Sequence, residues 1–479
     1  MVSRLIVISN RVTVPGKGRN EAAGGLAVAV KAALKHHSGI WFGWSGKVAG
    51  GKAIEPRTIE KNKITYMVID LEDADFQEYY NGFANRALWP MLHYRVDLAA
   101  YTHTNLDGYI RVNNIFADNI SKILRPDDVL WVHDYHLMPL AQELRKRGHE
   151  NQIGFFLHIP CPPPDILLTL PRHDETLGML SYYDLVGFQT ENDRDNFGRY
   201  LALQGGLVGR DGLTYNVDGR TVRIDAFPVG IETGVFARLA RNAGRSVFAR
   251  EVNESLAGRR MILGVDRLDY SKGLTARMEG YERFLTAHPK WRGHVTYLQI
   301  SPTSRADIKE YVDMNREVSE LVGRINGQHG EAAWTPIRYI NRSYSRTALA
   351  GIYRSAAIAL VTPLRDGMNL VAKEFVAAQD TENPGVLILS QFAGASAELE
   401  GGALLINPHE TEALPLAIDR ALEMPLDERR ERHISMMKRI EVNDVDHWAA
   451  HYLDVLGETR KKRDLFGGIR SLFSTMTSL

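Results

Sequence analysis

Short apolar runs alternate with helical patterns from one end of this chain to the other, and that alternation leaves few folds open. The runs predicted as strands in the first half are Leu5–Ser9, Ile64–Asp70, Val129–His133, Ile153–His158 and Leu185–Gln189. Those in the second half are Met261–Val265, Val295–Ile300, Ile358–Thr362 and Val386–Ser390. Helix-like stretches lie between them, such as Gly25–Lys35, Leu137–Arg147, Asp193–Leu203, Gly273–Ala287 and Asn369–Ala378. A strand that is apolar throughout has no face for water, so it belongs to a parallel sheet covered by helices on both sides. Two successive sets predict an α/β chain of two Rossmann-like domains facing a central cleft. A chain of 479 residues is long enough for two such cores. The break is expected at Phe227-Pro228-Val229-Gly230-Ile231, where a proline and a glycine stand close together. This gives residues 1–232 as the first domain, 233–445 as the second and 446–479 as a closing segment.

Charge narrows the class of ligand. Lys plus Arg and Asp plus Glu both number 58, so the formal net charge is zero. That balance argues against a nucleic-acid scaffold, which carries a basic excess, but leaves room for a local phosphate pocket. Cys161 is the lone cysteine, which fits a reducing compartment. The first apolar run, Leu5 to Ile8, is too short for a signal segment or a membrane span. A cytoplasmic protein with no membrane contact is expected. The basic cluster Arg460-Lys461-Lys462-Arg463 reads as part of a solvated, loose tail.

Ligands of open parallel sheets bind at the carboxyl ends of the strands, and the unusual polar clusters fall there repeatedly. Leu5–Ser9 ends in Asn10-Arg11, Val129–Val132 in His133-Asp134-Tyr135-His136, and Ile153–Leu157 in His158-Ile159-Pro160. In the second half, Met261–Val265 runs into Asp266-Arg267-Leu268-Asp269-Tyr270-Ser271-Lys272-Gly273. Val295–Ile300 runs into Ser301-Pro302-Thr303-Ser304-Arg305, and Ile358–Val361 into Thr362-Pro363-Leu364-Arg365-Asp366-Gly367-Met368-Asn369. A shared site is the simplest explanation of so many coincidences.

The second-half clusters have the chemistry of a nucleotide site. Arg267 and Lys272 could bracket a diphosphate, one with a forked donor and the other with a compact charge. A surface salt-bridge loop is the plainer alternative. Asp366-Gly367-Met368-Asn369 leads into the helical stretch Leu370-Val371-Ala372-Lys373-Glu374, whose free N–H groups would attract phosphate oxygens. Glu374 could accept ribose hydroxyls and Asp366 sugar hydroxyls; a capped turn and a solvated helix acid are the alternatives. In the first half, Ala23-Gly24-Gly25-Leu26 opens a helix after a polar loop, with Arg11 just before that loop. Tyr80 and Trp89 flank an Asn-rich stretch, Asn81 to Asn85, which suits a sugar ring or simple loop packing.

Two other patterns carry no metal. His133 and His136 straddle a strand end and a turn with no third ligand nearby. Asp73-Ala74-Asp75 lies in an acidic stretch that reads as a helix N-terminus, where the dipole favours acids. No cofactor is expected.

Taken together, these residues resemble the bacterial trehalose-6-phosphate synthases of glycosyltransferase family 20. The resemblance is carried by Ser9-Asn10-Arg11, Ala23-Gly24-Gly25-Leu26, Trp41-Phe42-Gly43-Trp44-Ser45-Gly46, His133-Asp134-Tyr135-His136-Leu137 and Phe155-Phe156-Leu157-His158-Ile159-Pro160. It continues through Arg267-Leu268-Asp269-Tyr270-Ser271-Lys272-Gly273 and the long run Arg365 to Glu374, and reaches His447-Trp448. It implies a GT-B glycosyltransferase whose last helix crosses back to the first domain. It implies a retaining glucosyl transfer from UDP-glucose to glucose 6-phosphate, giving trehalose 6-phosphate and UDP. By motif, Arg267 and Lys272 would hold the donor diphosphate, with Gly24 and Gly25 near the transferred sugar. Tyr344 would lie beside the nucleobase, Leu370, Val371, Ala372, Lys373 and Glu374 at phosphates and ribose, and Asp366 at the glucose. Arg11, Tyr80, Asp134 and Arg305 would bind the acceptor, with Trp89 shaping its pocket and His158 at the reacting glucose. The catalytic set implied is Arg267, Lys272, His158 and Asp134.

There are departures. Asp266 stands where the family usually has Glu, Cys161 where an aromatic residue is common, and Tyr344 where Phe is frequent. The resemblance further implies a homo-oligomer, dimer or tetramer, and a separate trehalose-phosphate phosphatase downstream. It implies a same-face reaction, in which the leaving phosphate accepts the acceptor's proton and the protein supplies positioning and charge. Rival readings are a relative using glycerol 3-phosphate, another acceptor or ADP-glucose, and a non-catalytic sugar-phosphate-binding subunit. The second rival would be expected to lose the donor-site charges, which are all present here.

Overall fold

Apolar residues at consecutive positions are stable only where both faces of a strand are covered, and the strand Leu5–Arg11 shows this at once: six of its seven residues are buried. The computed structural model of the chain describes residues 4–14, 25–36, 39–50, 55–303 and 308–459. Its strands are β1 (Leu5–Arg11), β2 (Gly39–Val48), β3 (Arg57–Lys61), β4 (Ile64–Leu71), β5 (Val129–His133), β6 (Gln152–Phe156), β7 (Leu185–Phe188), β8 (Leu207–Val208), β9 (Thr214–Val217) and β10 (Arg220–Ala226). They continue as β11 (Arg260–Val265), β12 (Val295–Ile300), β13 (Ile337–Ile340), β14 (Ile358–Val361), β15 (Val386–Ser390) and β16 (Leu404–Ile406). All nine predicted strands are among them. The predicted helices are present with slightly different ends, as at Leu140–Lys146 and Leu274–Ala287.

The chain forms two compact units, divided between Pro228 and Val229 and again between His447 and Trp448. The first unit holds a ten-stranded sheet in the order β3-β4-β2-β1-β5-β6-β7-β10-β9-β8. Its central strands pair in parallel, with β1 against β2 on one side and β5 on the other, in the register Leu5↔Val129 to Ser9↔His133. The chain therefore winds outward from β1 through β2 to β4, then returns to start again at β5. That reversal leaves a crevice at the carboxyl ends of β1 and β5, the place where doubly wound sheets bind ligands. The helical residues 448–459 complete this unit's core. Tyr452 stacks on Trp131 with centroids 4.6 Å apart and donates a 2.9 Å hydrogen bond to the Phe155 carbonyl. Trp448 lies against the same indole at 4.9 Å.

The second unit carries a six-stranded sheet in the order β13-β12-β11-β14-β15-β16, all parallel. Here the winding reverses between β11 and β14, so the crevice falls at Asp266–Gly273 and Thr362–Asn369. One core of Ile262, Leu274, Met278, Tyr281, Phe284, Val295, Tyr297, Val318 and Ile388 packs helices onto the sheet. Full burial of each such side chain stabilises by about 1.5–3 kcal/mol. The two ends of the unit meet: the Val445 N–H donates to the Ile231 carbonyl at 3.2 Å, and the Thr233 hydroxyl to the Ile440 carbonyl at 2.7 Å. Among the described residues no helix is long and apolar enough to cross a membrane.

Candidate active site

In the second unit, β11 ends in buried Asp266 and exposed Arg267, and the chain then tightens into a 3-10 turn, Tyr270–Lys272. Asp269 caps that turn by accepting the Ser271 N–H at 3.0 Å. Gly273, at φ 65°, closes it in the left-handed region and starts the helix Leu274–Ala287. Lys272 is thereby held almost buried, with its Nζ 2.6 Å from Asp366 Oδ2. Asp366 Oδ2 also accepts from Asn369 Nδ2 at 3.0 Å. The loop after β14 is laced to the Lys272 turn by the Leu364 N–H, which donates to the Ser271 carbonyl at 2.8 Å. The sequence reading gave Lys272 to a diphosphate and Asp366 to a sugar; the structure brings the two into one ion pair.

The helix Leu370–Ala378 starts from Asn369, whose backbone sits at φ 75°, and no side chain caps it. Its first N–H groups, from Leu370, Val371 and Ala372, therefore form an anion-attracting end. Glu374 lies one turn in. Burial pushes its carboxyl up to about 7, against the pull of Arg346 and of the Tyr353 hydroxyl. Lys373 uses its side chain elsewhere. Its ammonium is fully buried, ion-paired with Glu398, and donates to the Val229 carbonyl at 2.8 Å. Its side chain is thus committed within the fold, and only its backbone is left to face a nucleotide. Tyr344 packs against Phe248 at 5.8 Å, and its hydroxyl accepts from Arg342 Nη2 at 3.0 Å.

Sequence reasoning missed the residue that binds these pieces together. Arg277 has a side chain wholly shielded from solvent and pairs with Asp266. It also donates to Thr362 Oγ1 at 2.8 Å, Gln299 Oε1 at 3.2 Å and the Lys272 carbonyl at 3.1 Å. A signal was present: Leu274, Arg277, Met278 and Tyr281 share one helix face at positions i, i+3, i+4 and i+7, so a guanidinium interrupts an apolar stripe. Asp266 is the buried counter-ion of that guanidinium, which accounts for an acid at this position.

In the first unit, Arg11 stands exposed at the carboxyl end of β1. Gly46, at φ 86°, makes room for it, since a Cβ there would fall 2.6 Å from Arg11 Nε. Asp134 follows β5 with φ 76° and ψ 163°, a region populated almost only by glycine. Such strain costs about 1–3 kcal/mol and persists where the surroundings over-determine it. Here the Asp134 N–H donates to the Phe156 carbonyl at 2.8 Å, and Asp134 Oδ1 accepts from the His158 N–H at 3.3 Å. His158 Nε2 lies 3.0 Å from His133 Nδ1. Burial pulls His158 down to about 3 and His133 well below its usual value, so both rings are neutral near pH 7.

Tyr80 sits on a π-helical segment, Phe76–Leu88, half-buried between parallel rings: Phe76 at 5.6 Å and His136 at 5.8 Å. Trp89 is 4 % exposed, packed on His93 at 4.1 Å. Asp75 heads this segment and pairs with Arg111 at 2.7 Å, in keeping with a structural reading of the acidic stretch. Among the described residues, no three His, Cys, Asp or Glu side chains gather as metal ligands. Gly24 and Arg305 lie outside the described residues, as does the basic cluster at 460–463. Gly25 opens the helix Gly25–His36.

The family model of glycosyltransferase family 20 matches residues 3–458. The chain belongs to glycosyltransferase family 20. Its relatives include the trehalose-6-phosphate synthase of Sinorhizobium fredii (strain NBRC 101917 / NGR234), 52 % identical over 457 residues, 95 % of this chain and 98 % of that one. The fold is similar to that of a UDP-forming α,α-trehalose-phosphate synthase from Burkholderia xenovorans in complex with glucose 6-phosphate: TM-score 0.91, 46 % identity, 95 % of this chain and 100 % of the other. It is also similar to that of the Escherichia coli enzyme bound with UDP-2-fluoro glucose: TM-score 0.90, 45 % identity, 95 % and 99 % coverage. This family-20 chain is accordingly a glycosyltransferase of the GT-B fold, with two Rossmann-like units.

Proposed function

We propose that this family-20 transferase moves glucose from UDP-glucose to glucose 6-phosphate with retention, forming α,α-trehalose 6-phosphate and UDP. The observation that carries the reading is the pairing of Lys272 with Asp366 beside the uncapped start of the helix Leu370–Ala378. That arrangement offers a diphosphate two kinds of positive partner and a sugar one carboxylate. Arg267, exposed at the same strand end, supplies a second cation to the leaving phosphates. Glu374, once ionised, accepts the ribose hydroxyls, and Tyr344 lies at the base. In the first unit, Arg11, Tyr80 and Asp134 receive the phosphorylated hexose, with Trp89 behind them and Arg305 as a further phosphate ligand. Neutral His158 hydrogen-bonds the transferred glucose.

In this mechanism the bond from the anomeric carbon to the leaving phosphate breaks as the acceptor's anomeric hydroxyl attacks from the same face. The departing phosphate oxygen takes the hydroxyl proton. Lys272 and Arg267 stabilise the charge that builds on the diphosphate, a type of contribution that typically amounts to 10²–10³ in rate per donor group. No resident cofactor or metal takes part. The reading includes a cytoplasmic homo-oligomer whose product passes to a separate phosphatase.

The test is to incubate the purified protein with glucose 6-phosphate and each of UDP-, ADP- and GDP-glucose, and to determine the product's linkage by NMR. An α,α-1,1 disaccharide phosphate formed fastest from UDP-glucose is the expected result. Transfer to glycerol 3-phosphate but not to the hexose phosphate would replace the acceptor assignment. Sugar-phosphate binding without any transfer would leave a regulatory subunit. Light scattering of the same preparation gives the oligomeric state.

A further inference from the structure

We infer that Arg277 is the positioning residue of the donor site: a guanidinium that reaches no substrate and fixes where Lys272 and Asp366 stand. The inference rests on the donor reading given above. Side chains on a helix lean toward its N-terminus, so an Arg in the first turn of Leu274–Ala287 lies under the turn that precedes it, which is Tyr270–Lys272. From there it holds the ends of three adjacent strands. Asp266 follows β11, Gln299 lies within β12, and Thr362 follows β14. Its fourth partner is the carbonyl of Lys272 itself, 3.1 Å from Nη2.

The alternative is that Arg277 only fills the core. Its neighbours speak against this. Leu274, Met278, Tyr281, Ile262 and Tyr297 form an apolar cluster that an apolar side chain of similar volume would complete without desolvating a charge. Arg cannot shed its proton, so the site must keep Asp266 buried beside it. What the guanidinium adds is a set of fixed directions, three of them ending on a loop that carries a donor-site residue. Thr362 leads to Asp366, Asp266 leads to Arg267, and the Lys272 carbonyl leads to the ammonium that meets Asp366. Removing the fork frees the Lys272 turn to shift, and a shift of about 1 Å from a remote substitution lowers turnover by about 10²-fold.

The experiment compares the wild type with Arg277→Lys and with the double variant Arg277→Met/Asp266→Leu, which removes both charges together. Thermal melting and circular dichroism establish that each variant is folded. Steady-state rates give kcat and both KM values. Acylation of Lys272 by sulfosuccinimidyl acetate, read by peptide mass spectrometry, reports without any substrate whether the ammonium is still held against Asp366. The double variant is expected to melt near the wild type and to lose about 30- to 100-fold in kcat. Its KM for glucose 6-phosphate should not change, and Lys272 should acylate several-fold faster. Arg277→Lys keeps a charge beside Asp266 but cannot also span Thr362 and the Lys272 carbonyl, so it falls between. A folded double variant with wild-type kcat and wild-type Lys272 reactivity overturns the inference. So does a loss confined to melting temperature. If the wild type transfers no glucose, the donor reading fails by itself, while the acylation comparison still decides whether Arg277 positions Lys272.

Discussion

At the scale of single residues, the site is organised by groups held in states they would not adopt alone. Asp134 sits in a backbone conformation suited to glycine. Asp134→Gly should therefore raise the melting temperature relative to Asp134→Ala, which keeps the strain, while both lower turnover. Differential scanning fluorimetry beside a rate assay checks this, and equal melting of the two variants would show that the conformation carries no strain. Lys272→Ala should reduce kcat by about 10²–10³-fold with the circular dichroism spectrum unchanged. Glu374 gives a pH signature. Its folded-state value of about 7 lies above the reference 4.5, so the folded state binds the extra proton. The stability this confers is complete below about 4.5 and is lost as the pH rises to about 7. Glu374→Gln, neutral throughout, should gain on the wild type across that window and match its slope above it. Donor affinity should run the other way in the wild type, rising with pH toward 7 as the carboxylate forms, and should be flat in the Gln variant. Isothermal titration with UDP-glucose, whose diphosphate diester does not titrate in this range, reads both.

At the scale of elements, nine parallel strands were legible because most of their positions are buried and apolar, whereas β10 and β13 carry charged, half-exposed positions and β16 has only three residues, so these three were not. β2 was seen as a motif and not as a strand, because its tryptophans and glycines do not form a β-branched run. β3 and β8 are short antiparallel strands at the two edges of the sheet and β9 pairs beside β8; β3 is exposed, β8 has two residues and β9 four, and a local pattern does not separate such pieces from loops. The π-helical winding of Phe76–Leu88 spaces its buried residues off the 3.6 period, so the segment around Tyr80 stood out as an Asn-rich stretch and not as a helix. Of the site, the polar strand ends were legible and their partners were not. The resemblance set Lys373 among the residues at phosphates and ribose, and which way its side chain faces is settled only by what packs on it. Lys373→Met leaves Glu398 buried without its ammonium and should destabilise by about 3–5 kcal/mol. A partner change of Glu398→Leu should recover most of that loss, which thermal or urea unfolding of the single and double variants would measure.

At the scale of the whole molecule, the chain builds part of its first unit, then the second, and then returns to finish the first at Trp448. Completion of the first core waits on the last helical residues. Tyr452→Ala should cost about 3–5 kcal/mol, because a fully buried ring stacked on Trp131 is removed. The second unit has its own sheet and its own hydrophobic cluster, and the segment 229–447 is continuous in sequence. Expressed alone, it is expected to fold and to bind UDP without turnover. A fragment lacking a cooperative thermal transition would show that its core needs the remainder of the chain.

The meeting of Ile231 with Val445 has one more consequence. A segment whose beginning and end are hydrogen-bonded neighbours is a closed loop of chain, so it can be spliced out or grafted in at a single pair of junctions. On the donor reading proposed above, the segment is a cassette that can be exchanged at these two points. A laboratory chimera made with the same junctions is expected to take the donor preference of the inserted segment, which rates with UDP-, ADP- and GDP-glucose would read.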